Sequence, residues 1–197
     1  MILRQRLLFL QMVFFYCSSN YPPNAYDTLT IAVGTNSSGG LITDVIANSH
    51  GTAWSNLIIE INNRFLDYTG LTSRVVAVGG INIEPGFNPV YIPTHWLNGY
   101  ESVTDNRRQL VYIIGSAEGC PTNYPPSNPT SYNPQDCYKK YDNGQLLYKW
   151  TQEDVYYVNW GKQLNWPYPE IYNTATADQW YHISLYSDFD HVIPLYF

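Results

Sequence analysis

Asn82 and Glu84 close a strand-forming run, Val75-Val76-Ala77-Val78-Gly79-Gly80-Ile81-Asn82-Ile83-Glu84, immediately before Pro85-Gly86. Side chains along a strand alternate between its two faces, so Asn82 and Glu84 emerge together while Ile81 and Ile83 turn the other way. Pro85 has no N–H to give to a ladder and ends the strand. A carboxylate delivered where a buried strand stops is a common reaction centre on α/β scaffolds. It is equally the position of a solvated turn residue, and the sequence leaves both readings open.

Glycoside hydrolysis ordinarily needs two carboxyl groups flanking the scissile bond. The expected partner of Glu84 is Glu118, in Gly115-Ser116-Ala117-Glu118-Gly119, where small neighbours leave room for a ligand after a strand over residues 109–116. Its other reading is a solvated loop residue. Glu170 ranks below it because residues 169–173 read as a strand that Glu170 opens, and the start of a parallel strand lies on the stability face of a barrel. Asp44 reads as a loop residue. The same geometry favours Tyr172 and Asn173 as groove residues, with Asn82, Tyr112, Trp160 and Tyr186 completing the expected sugar-binding set. Each aromatic member also reads as core or rim packing.

Other chemistries find little support. His50, His95, His182 and His191 are isolated, and there is no His-Glu-x-x-His or Cys spacing for zinc. His50 beside Gly51 reads as a capping or loop residue. No phosphate-binding Gly-rich motif and no Gly-x-Ser-x-Gly occur, so no cofactor is expected and Ser116 is a poor nucleophile.

The net charge of -6, with only 10 Lys plus Arg, argues against nucleic acid, which needs a basic patch. The only short basic groups are Arg107-Arg108 and Lys139-Lys140. The charged share is 13%, well below the usual quarter, so polar uncharged groups must cover the surface. Tyrosine supplies many of them, with 19 copies beside 6 Trp and 7 Phe. Such rings suit both core filling and stacking on sugars.

The elements that must hold these residues alternate. Residues 28–35 read as a β-branched strand, and a helical stripe of Trp54, Leu57, Ile58, Ile61, Phe65 and Leu66 spans residues 52–68, with Gly70 as its stop. The strand carrying Glu84 follows, giving a βαβ unit with parallel pairing. A short helix around Trp96 to Val103 and the strand over 109–116 repeat the rhythm. Thr151-Gln152-Glu153-Asp154 resembles a capping box, with its helix expected to last one turn before residues 155–161 run extended. Residues 169–173 and 181–186 complete six strands, or seven with the N-terminus. The fold expected is α/β, an incomplete or truncated (β/α)8 TIM-type barrel, because a whole barrel usually takes ~250 residues.

Residues 1–27 read as a signal peptide or as a leading core strand, and residues 28–197 as the barrel domain. The apolar run from Leu7 to Tyr16 is too short and interrupted for a confident membrane span, so no stable membrane insertion is expected. Cys120 and Cys137 bracket a Pro-, Asn- and Ser-rich loop, and their pairing would staple it in an oxidising compartment. Cys17 is then a buried thiol, a residue lost with the leader, or a half-cystine whose partner lies elsewhere.

The ordered set Thr30 to Asn36, His50-Gly51, Ala53-Trp54, Gly80 to Glu84, Trp96 to Tyr100, Gly115 to Pro121, Trp150 to Gly161, Pro169 to Asn173 and Gln179 to Tyr186 resembles a family of uncharacterised, secreted bacterial proteins with a glycoside-hydrolase-like barrel. The resemblance covers residues 28–197. It implies a secreted, carbohydrate-active protein with a polysaccharide or glycan partner. That family's strand usually reads Asp-Ile-Glu where this chain has Asn82-Ile83-Glu84, which would remove one of a carboxylate pair. The expected function is a hydrolase-like use of Glu84; the alternative is a non-catalytic barrel that binds carbohydrate or a surface.

Overall fold

The computed structural model describes residues 29–38, 43–69, 75–103, 105, 110–122 and 135–185. Residues 1–27 with Cys17, and likewise Arg107-Arg108, Tyr186 and His191, lie outside them. The elements run β1 (Leu29–Asn36), α1 (Asp44–Thr69), β2 (Val75–Ile83), α2 (Tyr91–Ser102), β3 (Val111–Gly115), β4 (Asp136–Asp142), β5 (Gln145–Thr151), α3 (Gln152–Trp160), β6 (Asn165–Pro169) and α4 (Thr174–Ser184). Strands β1, β2, β3 and β6 form one parallel sheet in chain order, and β4 and β5 form a separate antiparallel hairpin. The α/β class and the first βαβ unit are as expected.

Alternation sorts the sheet into two faces. Val33, Ala77, Ile81, Ile83, Val111 and Ile113 turn to the helical layer, where Ile58, Ile92, Trp96, Leu97, Tyr100, Val155 and Ile183 complete the core. Helices α1 and α2 cross at two glycines: Gly51 lies against the Trp96 carbonyl and Gly99 against that of Asn48, with no room for a Cβ at either. At the N-terminal end of β2, before β3 begins alongside it, Asn62 of α1 takes a strand's place. Its amide donates to the Ala77 carbonyl at 3.0 Å, and its oxygen accepts the Ala77 N–H at 2.8 Å.

The four strands do not close into a barrel among the described residues, and β6 shows why they stop there. Glu170 N–H donates to the Gly115 carbonyl and Val111 N–H to the Leu164 carbonyl, so the even-numbered groups of this segment point at β3. Its odd-numbered groups point outward. Two of them, Pro167 and Pro169, have no N–H, and the third, Asn165, spends its own on the Lys162 carbonyl. The outer edge therefore offers no donor to another strand. The result is a small open sheet rather than a barrel wall.

Local readings also shift. Helix α1 begins at Asp44 rather than Thr52 because the Thr43 side chain accepts from the Ile46 N–H at 3.2 Å. Helix α2 likewise starts five residues ahead of Trp96, with Pro93 tolerated in its first turn. The Thr151 capping box forms with Asp154, as anticipated, but the helix it starts runs nine residues instead of one turn. Gln152, Val155, Tyr156, Asn159 and Trp160 fall on one buried helical stripe, which outweighs the strand-favouring residue types of 155–161. The last sheet strand is Asn165–Pro169, not 169–173, and residues 181–184 are helical, on an α4 begun by the Asn173 cap. The hairpin was not anticipated. It turns at Asn143 and Gly144, with φ of 48° and 80°.

Candidate functional site

The C-terminal edge of the sheet gathers the polar residues. Cα partners Asn36 and Asn82 are paired across β1 and β2, and Ile83, Gly115 and Pro169 are in register across β2, β3 and β6. Ile83 faces the helical layer, so the next residue of each strand, Glu84, Ser116 and Glu170, stands on the opposite face. Glu84 and Glu170 thus lie level with one strand between them, a backbone separation of ~10 Å at two strand spacings.

Two observations tie this edge together. Asn82 Nδ2 donates to Glu84 Oε1 at 3.0 Å, as their common face requires. Tyr172 lies within hydrogen-bonding reach of Glu170; that hydrogen bond first, then lost hydration and the charges of Glu170 and Glu84, hold its phenol above the usual tyrosine range. The loop after β1 is pinned beside them: Ser37 N–H donates to the Asn82 carbonyl at 2.9 Å, and Asn88 Nδ2 donates to the Ser37 carbonyl. The turn after Glu84 is braced by the hairpin, through Tyr148 to the Gly86 carbonyl at 3.3 Å and Trp150 Nε1 to the Asn88 carbonyl at 2.8 Å.

Below the carboxylates the same face is aromatic. Tyr112 and Tyr168 lie with ring centroids 6.2 Å apart, and Trp166 and Tyr168 are 44% and 62% exposed. Register places Gly34 beside Gly80, then Tyr112 and Trp166. On this face Gly34 of β1 is exposed and bears no side chain, while Val78 and Gly80 of β2 are buried.

Of the expected site residues, Asn82, Glu84, Tyr112 and Tyr172 share this face or edge. Glu118 lies on an exposed turn past Ala117, its N–H bonded to Ser116 Oγ at 3.0 Å. Trp160 sits across the sheet in the helical core, stacked on Tyr156 at 5.6 Å and edge-on to Trp180 at 6.0 Å. Asn173 is a helix cap whose side chain accepts from the Thr176 N–H at 3.0 Å. Tyr186 lies outside the described residues. Glu170 reaches the C-terminal edge of the sheet because β6 ends, rather than begins, beside it. A period-two reading of Trp166, Tyr168 and Glu170 would have found all three.

Cys120 and Cys137 form a disulfide, tying the turn after β3 to the first strand of the hairpin. Such a bond fits an oxidising compartment. His50 is a member of α1, not a loop residue; its Nδ1 accepts from Trp96 Nε1 at 2.8 Å. No helix among the described residues is long and apolar enough to cross a membrane. No group of three His, Cys, Asp or Glu able to hold a metal occurs among them either. No family model, curated protein or solved structure matches the chain.

Proposed function

We propose that the protein is a carbohydrate-active hydrolase in which Glu84 and Glu170 flank the scissile glycosidic bond. The observation that supports this reading is the level placement of the two carboxylates on one face, with Tyr172 against Glu170 and in the field of both. A backbone separation of ~10 Å lets side chains leaning inward reach the roughly 6.5–9.5 Å between carboxyl groups that leaves room for an attacking water, which corresponds to inversion at the anomeric carbon. Glu170, which faces the Tyr172 hydroxyl as an acceptor, is assigned the base that activates water. Glu84, steadied by Asn82, is assigned the general acid. Glu118 is assigned no step.

The test is a screen of the purified protein against plant and bacterial polysaccharides, with Glu84→Gln, Glu170→Gln and Glu118→Gln alongside. Loss of either acid–base partner should lower kcat by about 10²–10⁴, whereas Glu118→Gln should leave it intact. Turnover unchanged in Glu84→Gln refutes the assignment. The non-catalytic reading uses the same face and is favoured by the exposed rings of Trp166 and Tyr168. Glycan binding with no turnover in the wild-type protein would select it.

A further inference from the structure

Exposed aromatic residues of β6 continue well below the two carboxylates, and their chemistry is specific. Along β6, Glu170, Tyr168 and Trp166 are two residues apart on one face, so they step down the strand by ~6.6 Å each and Trp166 lies ~13 Å from Glu170. Tyr112, across from Trp166, stacks towards Tyr168. Beside this bank, Gly34 of β1 is exposed and bears no side chain. The half-exposed rings of Trp166 and Tyr168 lie outside the buried core clusters. Flat, exposed aromatic faces suit sugar rings, whose C–H faces stack on π-systems while their hydroxyls reach polar groups such as the exposed Asn36 at the sheet's end.

Charge selects among sugars. The strand positions on this face, read by alternation, include Glu84 and Glu170 but no Lys, Arg or His among the described residues, and the whole chain carries -6. A uronate or sulfated polymer would bring like charge against both carboxylates with no cation to receive it.

We infer that this aromatic strip is an extended subsite that holds at least three consecutive residues of an uncharged glycan, lying along β6 from the carboxylates down to Trp166. The inference rests on the proposed site at Glu84 and Glu170 and adds its substrate class and direction. It makes Trp166 and Tyr168 specificity-determining residues.

Intrinsic tryptophan fluorescence and calorimetry with oligomers of two, four and six units test it. The uncharged probes are oligomers of glucose, mannose, xylose and N-acetylglucosamine; the charged probe is oligogalacturonate of the same lengths. For at least one uncharged series, affinity should rise at least tenfold from two to four or six units, while oligogalacturonate binds at least tenfold more weakly at equal length. Trp166→Ala and Tyr168→Ala should each remove most of that length-dependent gain, and Trp166→Phe should retain part of it. Tyr181→Ala, an exposed change on α4, should do neither. Circular dichroism confirms that the variants fold. Affinity independent of length, a gain insensitive to Trp166→Ala and Tyr168→Ala, or tighter binding of oligogalacturonate overturns the inference. Length-dependent binding through Trp166 without turnover would refute the hydrolase and leave the aromatic subsite standing. Turnover that depends on Glu84 and Glu170 but not on oligomer length would do the reverse.

Discussion

Replacing Gly51 with alanine sets two physical effects against each other. Gly51 lies inside α1, where alanine is favoured over glycine by ~1 kcal/mol in a helix interior. The added Cβ, however, would stand 2.9 Å from the Trp96 carbonyl carbon and 3.0 Å from the Tyr100 nitrogen, and closer still to the Trp96 oxygen. These obstacles are backbone atoms of α2, so no side-chain rotation relieves them, and the two helices must part by roughly 1 Å or more, enough to forfeit about half of the attraction at each contact. Inserting a methyl into a packed interior costs about 1–3 kcal/mol, and a backbone obstacle puts this site at the upper end. With the propensity gain subtracted, Gly51→Ala should destabilise by ~2 kcal/mol, a fall in Tm of roughly 4–8 °C for a chain of this size.

Gly99→Ala meets the Asn48 carbonyl from the opposite helix and should behave alike. The double variant should lose at least ~1 kcal/mol less than the sum, because one separation serves both methyls. Exposed Ser49→Ala, on the same helix, should be neutral or slightly stabilising. Thermal and urea unfolding of the four variants provide the measurements. A Tm for Gly51→Ala above that of the parent, or strict additivity of the two glycine changes, would refute the close crossing.

Three further outcomes follow from side chains that do a single job. Asn62→Ala leaves the Ala77 N–H and carbonyl buried without a partner and should cost ~2–4 kcal/mol, whereas Asn62→Asp keeps the acceptor and loses the donor; urea denaturation reads both. Reducing Cys120–Cys137 releases a link across 17 residues and should cost ~3 kcal/mol, read as a lower Tm in the presence of dithiothreitol. Burial lowers the His50 pKa below its usual 6.5. Its unfolded form therefore binds more protons, so the contribution is fully present above about pH 6.5 and is lost as pH falls from there through the folded pKa. His50→Gln should flatten the stability profile in that window, and an NMR titration giving a His50 pKa above 6.5 would contradict the buried acceptor role.

The sequence shows β2 with its Asn82–Glu84 pair plainly because a period-two run bounded by Pro85 has one reading. The same rule hid β6, whose prolines usually argue against a strand; on an edge, with their missing N–H groups turned outward, they fit. That displacement by four residues is what placed Glu170 at the wrong end of a strand. Helix α3 was obscured by residue type, since Val155, Tyr156, Tyr157 and Val158 favour strands individually while the period of their burial is helical. The hairpin carried a clear signal, Asn143-Gly144, but its flanks are lysine-rich and largely exposed, so no apolar alternation drew attention to it. The aromatic row beside the carboxylates was illegible for another reason. It arises from register between strands far apart in sequence, which brings Gly34, Gly80, Tyr112 and Trp166 into one row.

The donor-free edge of β6 also bears on how molecules of this protein meet one another. An exposed parallel strand is ordinarily a template on which a neighbouring chain can grow, the first step towards ordered aggregates. Pro167 and Pro169 remove the outward N–H groups such growth would use, on the strand that carries Trp166 and Tyr168. The most exposed aromatic residues of the sheet can therefore face solvent at high protein concentration without their own backbone recruiting another molecule's strand.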